Sequence, residues 1–88
     1  MVYKELKILN DDGLKAKAAA SFVHTAEQFA NCQILIEFAN KKINAKSIMG
    51  LLSLGVKPGE SIFVFANGEN EQGAIDALCN LVDNSINL

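Results

Sequence analysis

Asn44-Ala45-Lys46-Ser47-Ile48-Met49-Gly50-Leu51-Leu52-Ser53-Leu54-Gly55 is the stretch on which the reading of this chain turns. A polar stub comes first, then a serine, then Ile48, Met49, Leu51 and Leu52 around Gly50. A serine ahead of a short apolar helix is an N-cap candidate, because its hydroxyl accepts a bond from an unpaired first-turn N–H. That helix is expected to end near Gly55. The capping hydroxyl is also accessible to a kinase, so Ser47 has two candidate roles.

Upstream of this stretch, Cys32 to Phe38 alternates, with Ile34, Ile36 and Phe38 inward and Gln33, Leu35 and Glu37 outward. Ala39-Asn40-Lys41 turns the chain, and Lys42-Ile43-Asn44 forms a short return strand. Downstream, Val56-Lys57-Pro58-Gly59 is a turn by its Pro-Gly pair. Ser61 to Ala66 then reads as a strand, with Ile62, Val64 and Ala66 on one face and Phe63 and Phe65 on the other. Asn67-Gly68 turns again, and Glu69, Asn70 and Glu71 suit the positive start of a final helix. That helix is expected to bury Ile75, Leu78, Cys79, Val82 and Ile86. At the N-terminal end, Val2 to Leu9 alternates as a strand, with Leu6 and Ile8 on one face and Tyr3, Glu5 and Lys7 on the other. After the turn cluster Asn10-Asp11-Asp12-Gly13, the stretch Lys15 to Ala30 carries a helical stripe of Ala19, Phe22, Val23, Ala26, Phe29 and Ala30. His24 lies off that stripe and reads as a solvated surface residue. Strand, helix, strand, strand, helix, strand, helix favours one sheet with helices on one face, an α+β two-layer domain spanning residues 1–88.

The totals narrow the function. A net charge of −2 over 88 residues offers no general attraction to nucleic acid or an anionic membrane. No apolar run approaches the roughly 20 residues of a membrane span, and Met1-Val2-Tyr3-Lys4-Glu5 has no signal-peptide pattern, so the expected location is the cytoplasm. Cys32 and Cys79 are isolated and there is one histidine, so no metal site and no cofactor are expected.

The element order, the Asn44–Gly55 run, the Gly13-Leu14 pair and the segment from Gly68 to Ala74 together resemble the HPr family of the bacterial sugar phosphotransferase system, over essentially the whole chain. The resemblance implies an open-faced β-sandwich, with a four-stranded antiparallel sheet in the order 1-4-2-3 and three helices on one face. In the family, a histidine at the start of the first helix carries a phosphoryl group, within Gly-Leu/Ile-His-Ala-Arg-Pro-Ala. This chain reads Gly13-Leu14-Lys15-Ala16-Lys17-Ala18-Ala19 there, with Lys15 for the histidine, Lys17 for the arginine and Ala18 for the proline.

A phosphocarrier needs a nitrogen lone pair near neutral pH, which imidazole supplies with a pKa of about 6.5. An amine at ~10.4 is almost wholly protonated there, so Lys15 is a poor phosphoryl acceptor. Lys17 keeps charge but not the planar fork that grips phosphate oxygens in pairs. His24 lies more than two turns along the helix and is no substitute. Lys15 and Lys17 are either solvated charges on a decayed site or a positive surface that docks acidic partners.

The serine survives. In the family it is phosphorylated by an ATP-dependent HPr kinase/phosphorylase, and the modified protein serves a catabolite-control transcription regulator. The resemblance therefore implies a non-enzymatic regulatory HPr-like protein of carbon catabolite control, phosphorylated on Ser47, with Ile48, Met49 and Leu52 as a contact patch beside it. Within the family the pattern is similar to the Crh type, which lacks the histidine and keeps the serine. That type carries glutamine at the replaced position and retains the arginine and proline, both lost here. The alternatives are an atypical phosphocarrier using another nitrogen and an HPr-fold interaction module with no sugar role. In the implied strand order, Leu9, Leu35, Phe63 and Phe65 project from the outer face of the sheet, which points to self-association as a homodimer or to a partner there.

Overall fold

The computed structural model describes residues 1–9, 13–14 and 16–83. Its elements are β1 (Val2–Lys7), α1 (Ala16–Glu27), β2 (Cys32–Phe38), β3 (Lys41–Asn44), α2 (Ile48–Leu54), β4 (Ser61–Gly68) and α3 (Glu71–Asp83). The strands form one antiparallel sheet in the order β1-β4-β2-β3. This is the α+β open-faced arrangement expected, with all three helices on one side.

Alternation decides which face they cover. Leu6, Ile34, Ile36, Ile62, Val64 and Ala66 are buried on the helix side, in one cluster with Ala19, Phe22 and Ala26 of α1, Leu51 and Leu54 of α2, and Ala74, Ile75 and Leu78 of α3. Among the described residues no polar or charged side chain is buried, so the core needs no internal hydrogen-bond network. The edge strand β1 is the exception to simple alternation. Lys4 pairs with Val64 and so belongs to the helix side, yet it is exposed. A charge on the inward face of an edge strand discourages a further strand from adding there.

Several boundaries differ from the sequence reading. β1 stops at Lys7 because β4 begins at Ser61; Ile8 is held instead by the turn, with its N–H on Glu60 O at 2.8 Å and its carbonyl on Gly59 N–H at 2.6 Å. Leu9 therefore lies past the sheet and is 67% exposed. α1 ends at Glu27, not Ala30, where Gln28 and Phe29 donate to Thr25 O and Ala26 O in tightened i−3 bonds. Phe29 still packs against the core, whereas Ala30 is exposed. β4 runs on to Gly68 because Asn67 and Gly68 pair with Gln33 and Cys32. Cys79 is only half-buried, with its thiol on Asp83 Oδ2 at 3.5 Å. The expected turn at 10–12, Lys15 and Ile86 lie outside the described residues.

At the start of α3, the Glu71 carboxylate accepts the Gly68 N–H at 3.0 Å and an ion pair from the Met1 ammonium at 3.1 Å. The Gly68 bond first, and the ammonium second, hold its pKa below the ordinary carboxylate value. A depressed folded-state pKa adds stability above the unfolded pKa, and that stability is lost as pH falls through the folded one. The stability difference between the wild type and Glu71→Gln should therefore shrink steadily on acidification, as read by urea midpoints across the acid range.

The β2–β3 hairpin turns through Ala39 and Asn40, at φ 52° and 66°, between the paired Phe38 and Lys41. Two left-handed residues are what a two-residue type I′ turn needs, and asparagine accepts that conformation better than alanine. An L-residue with a Cβ there costs about 1–2 kcal/mol, against about 0.5–1 kcal/mol for glycine's extra chain entropy. Ala39→Gly should thus raise stability by about 0.5–1 kcal/mol, seen as a higher urea midpoint with an unchanged slope.

Candidate functional site

Ser47 takes an extended conformation, φ −108° and ψ 112°, and its Oγ accepts the Gly50 N–H at 3.1 Å. It is the N-cap that the sequence predicts. Gly50 matters to this geometry, since a Cβ there would stand 3.3 Å from Ser47 Oγ and 3.4 Å from Ile43 Cβ. The lack of a side chain lets the first turn of α2 lie close over β3. Leu51 and Leu54 face the core, and Gly55 closes the helix at φ 65°. Ile48, Met49 and Leu52 point away from it, with Met49 72% exposed. The half-buried serine therefore stands beside an uncovered apolar ridge.

Two ties fix α2 against α1, and both are long-range. Lys46 Nζ donates to Phe29 O at 2.8 Å and Cys32 O at 2.9 Å, carbonyls in the connection that leaves α1. Its backbone N–H bonds Asn44 Oδ1 at 2.9 Å. An ammonium on carbonyls beyond a helix C-terminus is favoured by the helix dipole as well as by hydrogen bonding. At the other end, the Leu14 N–H donates to Val56 O at 3.1 Å. Gly13, at φ 64°, comes so near Val56 O that any Cβ would overlap it. The start of α1 thus lies by the end of α2, and the end of α1 lies by Ser47.

This antiparallel placement separates two parts of the expected site. Lys17 is exposed in the first turn of α1, at the opposite end of α2 from Ser47. Ile48, Met49 and Leu52 lie on α2 itself, between those ends. Lys15 lies outside the described residues. His24 is exposed in the last turn of α1, as expected from its place off the apolar stripe. Cys32 and Cys79 are free, and among the described residues no group of His, Cys, Asp or Glu could hold a metal ion. No helix among them is long and apolar enough to cross a membrane. Sequence reasoning missed the role of Lys46. Its acceptors lie 17 and 14 positions away, so nothing in the local pattern signals it.

A family model described as PTS HPr component phosphorylation site matches residues 2–84. The chain belongs to the HPr family. It is 42% identical over 83 residues to the HPr-like protein Crh of Halalkalibacterium halodurans, covering 94% of this chain and 98% of that one. Among solved structures it is similar to HPr-C-His from Thermoanaerobacter tengcongensis, with a TM-score of 0.91, 47% identity, and 94% and 92% of the two chains covered. It is also similar to Bacillus subtilis Crh, described as a dimer with an unexpected swapping domain, with a TM-score of 0.75, 40% identity, and 98% of each chain covered.

The Lys46 tie makes a stability claim. Hydrogen bonds from charged donors contribute about 1.5–3 kcal/mol each, and removing this donor leaves two partly buried carbonyls without it. Lys46→Met keeps the aliphatic stem, so the loss isolates the ammonium. It should cost about 2–3 kcal/mol in urea unfolding, with faster amide exchange at the start of α2.

Proposed function

We propose that this chain is a regulatory HPr-like protein of catabolite repression, switched by phosphorylation of Ser47 and unable to relay a phosphoryl group through a histidine. The observation that carries this reading is the setting of Ser47. Its hydroxyl caps α2 beside the exposed Ile48, Met49 and Leu52, so one modification adds charge at the border of an apolar contact surface. The amides at 48 and 49 have no intrahelical acceptor by their position in the first turn, and they are available to phosphate oxygens. Lys46 is already committed to two carbonyls, so it leaves most of the added charge, about two units, for a partner to read.

The likeness to Crh, whose name in Bacillus subtilis is tied to catabolite repression, supports the regulatory role. Lysine at position 15, where the family's relay motif has its histidine, argues against phosphoryl relay. The partners on this reading are an HPr kinase/phosphorylase and a catabolite-control transcription regulator, all in the cytoplasm, and the chain performs no catalysis of its own. Because Lys17 stands away from Ser47, a regulator reading both must span the length of α2.

Intact mass tests this directly. HPr kinase with ATP should add one phosphate to the wild type and none to Ser47→Ala, whereas Enzyme I with phosphoenolpyruvate should add none to either. Labelling by Enzyme I would support an atypical phosphocarrier and overturn the proposal. Labelling by the kinase that persists in Ser47→Ala would overturn the site, and no labelling by either would favour an interaction module outside sugar control.

A further inference from the structure

The outer face of the sheet is more organised than a scatter of exposed apolar residues. In one cross-strand row, Tyr3 of β1 pairs with Phe65 of β4, and Phe65 in turn pairs with Leu35 of β2. The Tyr3 and Phe65 rings stack at 5.6 Å between centroids and 27° between planes. Tyr3 is nonetheless 66% exposed. The adjoining row reads Glu5, Phe63, Glu37, Lys42 across β1, β4, β2 and β3. Lys42 does not hang off the sheet edge. Its ammonium leans inward over the Phe65 ring, 4.9 Å from the centroid. Among the described residues neither Glu5 nor Lys42 has an ion-pair partner.

We propose that this face binds a second copy of the chain, sheet against sheet, in a weak symmetric dimer. The charges select that occupant. A twofold axis along the strand direction, lying between β4 and β2, carries β1 of one copy over β3 of the other while keeping each row in place. Glu5 then meets Lys42 of the second copy, and by symmetry the pair forms twice. Phe65 meets Leu35 in the same operation, so the charged edges and one of the two central rows are self-complementary, as an isologous interface requires, while in the other row Phe63 meets Glu37. Glu37 is the cross-strand neighbour of Lys42 on β2, with no ion pair between the two in the single chain.

Sheets pack about 10 Å apart at roughly 30° to one another, a distance and twist that long Glu and Lys side chains span. Four strands about 4.8 Å apart present only about 400 Å² per copy, below the roughly 600 Å² per partner of a stable interface. The dimer is therefore transient, populated at high protein concentration and weakened by salt.

Sedimentation equilibrium at up to millimolar protein, with chemical-shift changes at Tyr3, Leu35 and Phe65, tests it. Glu5→Lys and Lys42→Glu should each weaken association at least about tenfold, and the double exchange should restore it to within about threefold. Both positions are exposed, so circular dichroism should show an unchanged fold. A clean monomer at millimolar protein would overturn the proposal. So would association indifferent to both single changes, as a strand-exchanged dimer would show, or a double variant no better than the singles. None of these outcomes depends on whether Ser47 is phosphorylated.

Discussion

The antiparallel pairing of β2 with β4 is the constraint on which the rest of the molecule depends. These two strands form the middle of the sheet, and each carries its apolar set on the helix side: Ile34 and Ile36 on one, Ile62, Val64 and Ala66 on the other. Their register places Ile36 opposite Val64 and Ile34 opposite Ala66. A slip of one residue would turn every one of these side chains toward solvent, so burial enforces the register strongly. β1 and β3 then add at the outer edges, and three helices cover the face that results. Because no buried polar group has to find a partner among the described residues, this core selects its register through apolar packing alone.

The same pairing governs the outer face. Once Phe65 is fixed opposite Leu35, Tyr3 and Lys42 come within reach of its ring from opposite sides. Aromatic side chains facing water on a sheet are usually a liability. Here they are bounded by Glu5, Glu37 and Lys42, and by Lys4 on the opposite face of the β1 edge, which limits uncontrolled strand addition while leaving a defined surface exposed.

α2 is tied down in a different way. Seven residues are too few for a helix to persist on local propensity, so its position comes from tertiary contacts. Two core leucines, the Lys46 ammonium at its start and the Gly13–Val56 approach at its end hold it along α1. The Ser47 hydroxyl inherits that rigidity. On the proposed reading, a group added there would alter the charge at a fixed place on the surface, which suits a switch read by docking.

Much of this was open to inspection in the chain itself. Alternation in Cys32–Phe38 and Ser61–Ala66 identified the strands and their inner faces, and the Ser47 cap with its apolar run located α2, because short-range periodicity and hydroxyl capping are local physics. The lysine at position 15, where the family's motif has its histidine, was likewise evident from the sequence alone. Tertiary structure decided what depends on distant neighbours. Leu9 left the outer face, because β4 begins at Ser61 and leaves nothing beyond Lys7 for β1 to pair with. The role of Lys46 and the separation of Lys17 from Ser47 were likewise invisible locally, since each arises from how α1 lies against α2. Periodicity names the face a residue occupies, but only packing names what stands opposite it.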